Sequence, residues 1–568
     1  MMVGVPLVLV AVDPDRPGGA VLREAADVSA AEAGRFGPPA RVAREDLAVA
    51  VAEREAGGPR WVWDDTEHWY PALLAAGVRV ERAHDLRLCR TILRGSTRAA
   101  GTALAREPES RWDRAGVGAA PQEVDAPSLF DDLPTAAPDA GPDATELGAE
   151  LRRQLAALTE AGDDGRLRLL LAAESTGALI AAEMRHDGMP FRPDVHDALL
   201  TGLLGPRPRE GARPDRLAAL AEQVAAALDR PALNPDSQPE LLRALRSAGL
   251  DVESTRTAEI RALDHPVRDP LLEYKKLARL LSANGWAWLD RWVHAGRFRP
   301  DYVPGGVVTG RWASSGGGAL QLPAVIRDAV RSDPGWRLVV ADAAQLEPRV
   351  LAAMSGDGAM AAAGRQADLY AGVVEAGIVA DRQQAKYAML GAIYGATTGA
   401  SAVLMPQLAR AYPRAVALVE EAARAGERGE QVTTWLGRSS PLPGAAWLAE
   451  RQAASAEGAA PEDARNARRR SRDWGRFTRN FVVQGTAAEW ALCWMAVLRR
   501  RLLDVPGRPH LVFFLHDEIM VHAPVAVADQ VAALVRESAV EAGRLLFGAT
   551  PVEFALDVSV VDSYADAV

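Results

Sequence analysis

The sequence predicts an α+β chain of several domains, and three observations carry that prediction. A β-type apolar run opens the chain at residues 5–12, a stretch rich in Pro, Ala and Asp interrupts it at residues 119–145, and helically spaced apolar residues fill the text to about residue 295. Beyond Pro300 Gly-rich, strand-like and helical segments alternate without an internal repeat. With 568 residues, 48% of them hydrophobic and 25% charged, the chain can bury several cores.

Residues 1–120 read as a compact α/β unit. No Lys or Arg precedes the first apolar run, and Asp13, Pro14 and Asp15 follow it, so it reads as a buried strand rather than a signal peptide. WVWDD at residues 61–65 is a second strand. Residues 121–145 are a solvated linker. Residues 146–299 are helical, as in LRLLLAAESTGALIAAEM and LLEYKKLARLLSANGWAWL. A Gly-rich stretch at 316–318, a strand at 338–340, long helices to about 500 and a strand pair at 511–522 complete the chain. No apolar stretch reaches the roughly 18 to 20 residues that cross a bilayer. Two cysteines, Cys89 and Cys493, exclude a disulfide framework and a Cys-rich zinc site, which suits a reducing cytoplasm. The formal charge of -10 argues against a non-specific nucleic-acid binder, although a cleft responds to local charge rather than to the sum.

Four segments carry chemistry. In WRLVVADAAQLEPRVLAAM an apolar strand delivers Asp342 to its end, and a helix starts near Gln345. In LVFFLHDEIMVHAP two apolar runs flank His516, Asp517 and Glu518, as in a hairpin with acids at its tight turn. Carboxylates from two strands could hold a pair of Mg²⁺ ions roughly 3.5 to 4 Å apart, the arrangement of two-metal phosphoryl transfer. An acid pair in a turn equally suits a solvated loop. DRQQAKYAMLGAIYGATTG reads as a helix over Arg382–Tyr394, whose i, i+4 steps set Arg382, Lys386, Leu390 and Tyr394 along one stripe. Two cations and a ring on one face suit a nucleoside triphosphate; the alternative is a solvated basic face with a half-buried tyrosine. ARNARRRSRDWGRFTRN gathers Arg465, Arg468, Arg469, Arg470, Arg472, Arg476 and Arg479, the composition of a phosphate-backbone contact or of a helix face paired with nearby acids.

In this order the segments resemble the polymerase half of the family A DNA polymerases, from about Leu167 to the C-terminus. DAAQLEPRVLA is similar to that family's motif A, RQQAKYAMLGAIYG to motif B and LHDEIMVH to motif C. VTGRWASS with LQLP resembles the stretch that meets the primer-template duplex, NFVVQGTAAEW a helix bearing Asn and Gln, and LNPDSQPELLRAL with LLEYKKLARLLS the thumb. The resemblance implies a right hand: connection and thumb at 146–299, palm at 300–355 and 476–568 with an antiparallel sheet, fingers at 356–475. The high Ala, Arg, Gly and Pro content fits an actinobacterial-like genome.

Carried over residue by residue, the resemblance implies that Asp342 and Asp517 bind two Mg²⁺ ions, with Mn²⁺ able to substitute, that Ala343 offers its carbonyl, and that Glu518 is an accessory acid. Arg382 and Lys386 would hold the triphosphate, Lys386 protonating the departing pyrophosphate, with Gln345, Tyr370, Leu390 and Tyr394 lining the nucleotide. Glu347 matches the residue that crowds the sugar 2′ position. Arg311, Gln321, Arg476, Asn480, Gln484 and His516 would meet the DNA. The implied partners are primer-template DNA and dNTPs; the protein would act as a cytoplasmic, nucleoid-associated monomer.

The sequence departs from the family at Leu390, where a Phe or Tyr is usual, at Tyr370, where a His is usual, and at Pro348, which interrupts the motif A helix start. Retained activity with altered nucleotide affinity or sugar discrimination is expected. Residues 1–120 occupy the place of the family's 3′ to 5′ exonuclease, an RNase H-like fold that AHDLRLCRTIL distantly resembles. That chemistry needs an Asp-x-Glu on the first strand. The strand ends instead in VDPDRP, while Asp65 and Glu67 sit far from it, so a degenerate scaffold without proofreading and without a preceding 5′ nuclease domain is expected. Two other readings stand beside the polymerase: a catalytically weakened DNA-binding protein of the same fold, and a metal-dependent 3′ to 5′ exonuclease.

Overall fold

A computed structural model describes residues 4–113, 141–209, 211–316, 318, 322–365, 368–395, 399–456 and 460–567. Two compact units emerge: Met1–Asp187 with Asp301–Ser315 and Val339–Val560, and Gly188–Pro300 with Gly316–Leu338 and Val561–Val568.

The first unit begins with a five-stranded sheet in the order Ala40–Val42, Ala20–Ala25, Leu7–Val12, Arg60–Trp63, Arg82–Asp85. Leu7–Val12 pairs antiparallel with Ala20–Ala25 and parallel with Arg60–Trp63. Alternation along the central strand explains why both faces are covered. Val8 and Val10 point into a core with Trp61, Trp63, Tyr70 and Leu179, whereas Leu7, Leu9 and Ala11 pack with Val62, Leu147, Leu151 and Leu155. The expected strands at 5–12 and 61–65 are therefore present, two and one residues shorter respectively. Most of the expected linker lies outside the described residues, but its end is helical. Ala144–Glu160 starts inside it because Asp143 and Glu146 form a capping box.

A second sheet of this unit runs in the order His510–Leu515, Glu518–Pro524, Trp336–Ala343, Leu556–Val561. Against it lies Pro461–Leu502, 42 residues long. Contrary to the expectation that no apolar stretch is long enough, this helix contains an 18-residue window of mean hydropathy 1.4; 83% of that window is buried inside the protein, as in a core helix. Trp490 and Trp494 are fully buried, and Cys493 lies between them on the same helix.

The long helix also buries Glu489, whose carboxylate accepts from Thr434 Oγ1 and, at 2.9 Å, from Leu436 N. Burial pushes its carboxyl up to about 7. The folded chain therefore binds that proton more tightly than the unfolded chain, and this residue's contribution falls by up to about 3 kcal/mol as pH rises from the ordinary carboxylate range through 7. Thermal melts from pH 5 to 8 should show a flatter pH profile for Glu489→Gln than for the parent; parallel profiles would refute this.

The second unit takes in residues 188–299 of the expected connection and thumb, whereas the helices Ala144–Glu160 and Arg166–Asp187 of that stretch fall in the first unit. Val224, Leu241, Leu245, Ile260 and Leu271 form its core on Asp215–Ala227, Gln238–Ser247, Thr257–Arg261 and Arg268–Asn284. A small sheet in the order Met189–Pro190, Arg297–Phe298, Val293–His294 accompanies them.

Candidate active site

Two acid-bearing segments meet at one rim of the second sheet. Trp336–Ala343 is buried on both faces from Leu338 to Ala341 and then opens near its end, so Asp342, one residue before the strand ends, is half-buried between the buried Ala341 and Ala343. The neighbouring hairpin pairs Leu515 with Glu518 and leaves His516 and Asp517 as a two-residue turn. His516 takes a left-handed φ of 58°, uncommon for a non-glycine residue. Ala343 N donates to the Asp517 carbonyl at 2.9 Å, so the strand carrying Asp342 is fastened to the turn carrying Asp517. Glu518, expected in the turn, opens the second strand instead.

Tyr302, which sequence reasoning missed, fixes the hairpin from behind. Its hydroxyl donates to Phe514 O at 2.7 Å and accepts from Phe514 N at 3.1 Å. Nothing in DYVPGG signals this contact, because it joins residues 212 apart.

The helix after the first strand, Leu346–Ser355, starts at Gln345, whose φ of 51° is also left-handed. Pro348 does not interrupt it, contrary to expectation. It falls in the first turn, where backbone N–H groups have no intrahelical partner and a missing donor is harmless. Glu347, half-buried on this turn, accepts from Arg311 Nη2 and from Tyr394 Oη, both at 2.5 Å. Gln484 hydrogen-bonds Tyr394 in turn. Four residues expected to serve nucleotide and DNA separately thus form one network. The Gln345 side chain accepts from Leu369 N at 2.9 Å and so anchors the start of the helix Leu369–Glu375.

The helix Arg382–Tyr394 has the expected bounds. Asp381 caps its start by accepting from Gln384 N, and Gly395, at φ 67°, ends it. Arg382 and Lys386 are exposed, while Leu390 and Tyr394 are half-buried. Arg382 Nε donates to Asp368 at 2.5 Å, and its guanidinium lies 5.6 Å from the centre of the buried Tyr370 ring. Asp368 was missed, although an Asp just ahead of an apolar run is an N-cap signal, and Asp368 does accept from Tyr370 N.

The arginine run divides. Arg479 is a correction to the expected phosphate contact: it is buried, donates to Ala392 O at 2.7 Å and pairs with Glu420 at 2.7 Å. Arg476 pairs with Asp473 and Arg470 with Glu450. Arg465, Arg468, Arg469 and Arg472 are exposed. Asn480 is half-buried, with an Oδ1 that has no hydrogen-bond partner among the described residues. Gln321 lies outside the described residues.

Burial pushes the Asp517 carboxyl up to about 6, Glu347 and Glu518 add to the rise, and Arg311 partly offsets it. Burial also lowers the neighbouring His516, with Arg311 acting in the same direction. An acid driven upward by burial and by neighbouring carboxylates suits a close cation. Among the described residues no group of three or more His, Cys, Asp or Glu could hold a metal ion. Asp342 and Asp517, on segments tied together by the Ala343 to Asp517 backbone bond, nevertheless supply the oxygen donors that suit a hard divalent ion whose remaining ligands come from outside the protein.

Comparison with known proteins agrees with this geometry. Residues 214–566 match the family model described as DNA polymerase family A. The DNA polymerase I of Chloroflexus aurantiacus is 28% identical over 332 residues, covering 54% of this chain and 33% of that protein. The thermostable DNA polymerase I of Thermus thermophilus is 28% identical over 342 residues, covering 54% of this chain and 37% of that protein. The chain spans about a third of the length of these curated relatives. In fold it is similar to the POL domain of Pol1 from M. smegmatis, solved in complex with DNA primer-template and dNTP. That likeness has a TM-score of 0.65 at 18% sequence identity, covering 99% of this chain and 96% of the other. With well over half of its residues matched by the family model, the chain belongs to DNA polymerase family A.

Proposed function

We propose that this chain is a template-directed DNA polymerase that adds dNMPs to a primer 3′-hydroxyl. The observation that carries the reading is the Ala343 to Asp517 backbone bond, which joins the two acid-bearing segments beside the network of Arg311, Glu347, Tyr394 and Gln484. Asp342, Asp517 and the Ala343 carbonyl would hold two Mg²⁺ ions, or Mn²⁺ in their place, which when bound supply Lewis-acid activation of the 3′-hydroxyl and neutralise charge on the pyrophosphate. Arg382 and Lys386 reach the triphosphate from the exposed end of their helix, and Lys386 gives a proton to the pyrophosphate as it departs. Tyr394, held through Glu347 and Gln484, flanks the templating position, with Leu390 one turn before it. Asn480, Gln484, Arg476 and His516 lie toward the primer terminus.

The domain assignment is part of the same proposal: thumb at 146–299, palm at 300–355 and 476–568, fingers at 356–475. The enzyme acts as a cytoplasmic, nucleoid-associated monomer. Residues 1–120 are a degenerate RNase H-like exonuclease scaffold. In support, their acids are engaged in structural bonds: Asp13 pairs with Arg41 at 3.1 Å, Asp65 accepts from Glu67 N at the helix Thr66–Ala75, and Asp85 accepts from Thr66 and Leu88.

Extension of a labelled primer on a longer template with Mg²⁺ and four dNTPs tests the reading. Growth to template length is the expected result; shortening in a lane without nucleotides would indicate the exonuclease instead. A further prediction concerns the sugar. Because Arg311 and Tyr394 fix Glu347 from two sides, its carboxylate forms a rigid wall for the 2′ position. Glu347→Ala should raise ribonucleotide incorporation relative to deoxynucleotide by about tenfold or more in single-turnover assays. An unchanged ratio would remove Glu347 from sugar selection.

A further inference from the structure

Three helices of the first unit border an open pocket of about 440 Å³ that the catalytic rim does not use. Pro413–Arg428 contributes Glu427, Ala445–Ser455 contributes Arg451 and Ser455, and the start of Pro461–Leu502 contributes Arg468, Ser471 and Arg472. Three guanidinium groups against one carboxylate leave a positive lining in a chain of formal charge -10. Arg451 is built into place, its guanidinium 4.8 Å from the centre of the Trp447 ring and its Nη1 donating to Glu427 O at 3.1 Å. Arg468 and Arg472, one helical turn apart, have no ion pair among the described residues, whereas Arg470 on the other side of the helix is paired with Glu450 at 2.6 Å.

The pocket also lies at one end of a ridge. Arg468, Arg472, Arg476, Asn480 and Gln484 follow one another at i, i+4 along the same continuous helix, so neighbours in the series sit about 6 Å apart and the row climbs toward the Tyr394 network. The Ser455 hydroxyl donates to Arg451 O at 2.9 Å, so the guanidinium forks are the donors left to recognise phosphate oxygens, and a row of them at near-regular spacing matches a repeating phosphodiester better than a single anion.

We propose that the pocket lined by Arg451, Arg468 and Arg472 is a second phosphate site, which grips the backbone of a DNA strand lying along this ridge. The inference rests on the proposed function for the identity of the strand. It adds an anchor about 18 to 24 Å along the helix from Gln484, outside the set of residues assigned to primer and nucleotide.

The test is binding of a fluorescent single-stranded oligonucleotide to the full chain, read by anisotropy between 50 and 300 mM salt, for the parent and for Arg468→Gln/Arg472→Gln. If each arginine neutralises one phosphate, the plot of log affinity against log salt becomes shallower by about 1.4 in the double variant. Arg424→Gln/Arg428→Gln, which removes the same charge from exposed arginines already paired with Glu421 and Glu430, should leave the slope near the parent value. Equal slopes for the parent and Arg468→Gln/Arg472→Gln overturn the site, and equal flattening by both double variants reduces it to an effect of net charge. Calorimetry with tripolyphosphate separates the sources of phosphate: stoichiometric binding lost in Arg468→Gln/Arg472→Gln while the DNA slope stays unchanged would assign the pocket to a free polyphosphate and overturn the strand. Primer extension keeps the two readings apart. A parent that extends primers with no change of slope in the variant loses only this site, and a change of slope in a protein that never extends primers loses only the polymerase.

Discussion

Asp517→Ala is expected to lower templated nucleotide incorporation by about three to four orders of magnitude, since in the proposed mechanism this carboxylate would hold a metal that supplies several kcal/mol of transition-state stabilisation. Asp342→Ala should be equally severe, because the bond between Ala343 N and Asp517 O makes the two segments a single platform and neither acid replaces the other. Primer-template affinity should change by less than about threefold, since the proposed DNA contacts are Arg311, Asn480 and Gln484 rather than the acids. Single-turnover incorporation beside equilibrium DNA binding separates the two quantities. Removing an acid that burial has driven up to about 6 also relieves a local cost, so Asp517→Ala should be no less stable than the parent. A variant that incorporates at a tenth of the parent rate or better would place the reaction elsewhere.

Arg499→Met is expected to give the largest loss of stability, about 3 to 5 kcal/mol. Arg499 is buried on the long helix and donates to both oxygens of Glu183, at 2.9 and 2.7 Å, and to the carbonyls of Glu81 and Val80, at 2.9 and 2.6 Å. Tyr70 Oη donates to the same carboxylate at 2.5 Å. This pair joins the long helix to Arg166–Asp187 and to the chain between the last two strands of the N-terminal sheet. Removal of the arginine leaves Glu183 buried with Tyr70 and only the more distant Arg79, at 3.6 Å. Denaturant melts should show the loss, and Glu183→Leu in the same chain should restore much of it, because removing both charges abolishes the desolvation cost that either alone leaves behind. A single variant within about 1 kcal/mol of the parent would mean that water or Arg79 compensates.

Segments whose signals are local were legible in the sequence. Arg382–Tyr394 was readable to the residue because Asp381 and Gly395, its start and stop signals, are adjacent in sequence to the helix they bound. The hairpin at His516 and Asp517 was legible for the same reason, two apolar runs and a polar turn. What the sequence hid depends on encounters between distant residues. Glu347 and Tyr394 are 47 residues apart, and their bond converts a supposed nucleotide wall and a supposed template ring into one unit. Arg479 is indistinguishable by composition from its neighbours in the arginine run and lies two turns after Arg472, nearly in phase with it, yet at its level of the helix Ala392 and Glu420 pack over it while Arg472 and Arg476, nearer the helix start, are exposed. Pro348 was misread because its effect depends on which turn of the helix receives it.

The N-terminal sheet shows the same division. A continuous apolar run predicted its first strand, but the pairing of Asp13 with Arg41 depends on strand order, which a run of apolar residues does not contain. The departures at Leu390 and Tyr370 also acquire a physical meaning from the fold. Tyr370 lies buried beneath the Arg382 guanidinium, and Leu390 remains half-buried on the stripe between Lys386 and Tyr394.

The most direct test of the polymerase reading is incorporation of each dNTP singly on four primer-templates that differ only in the templating base, with Mg²⁺ present. The account predicts that each template directs addition of its complementary nucleotide, with at least about a hundredfold preference over the other three, and that Asp517→Ala adds none. Addition independent of the templating base, or no addition while the DNA remains bound, would contradict it.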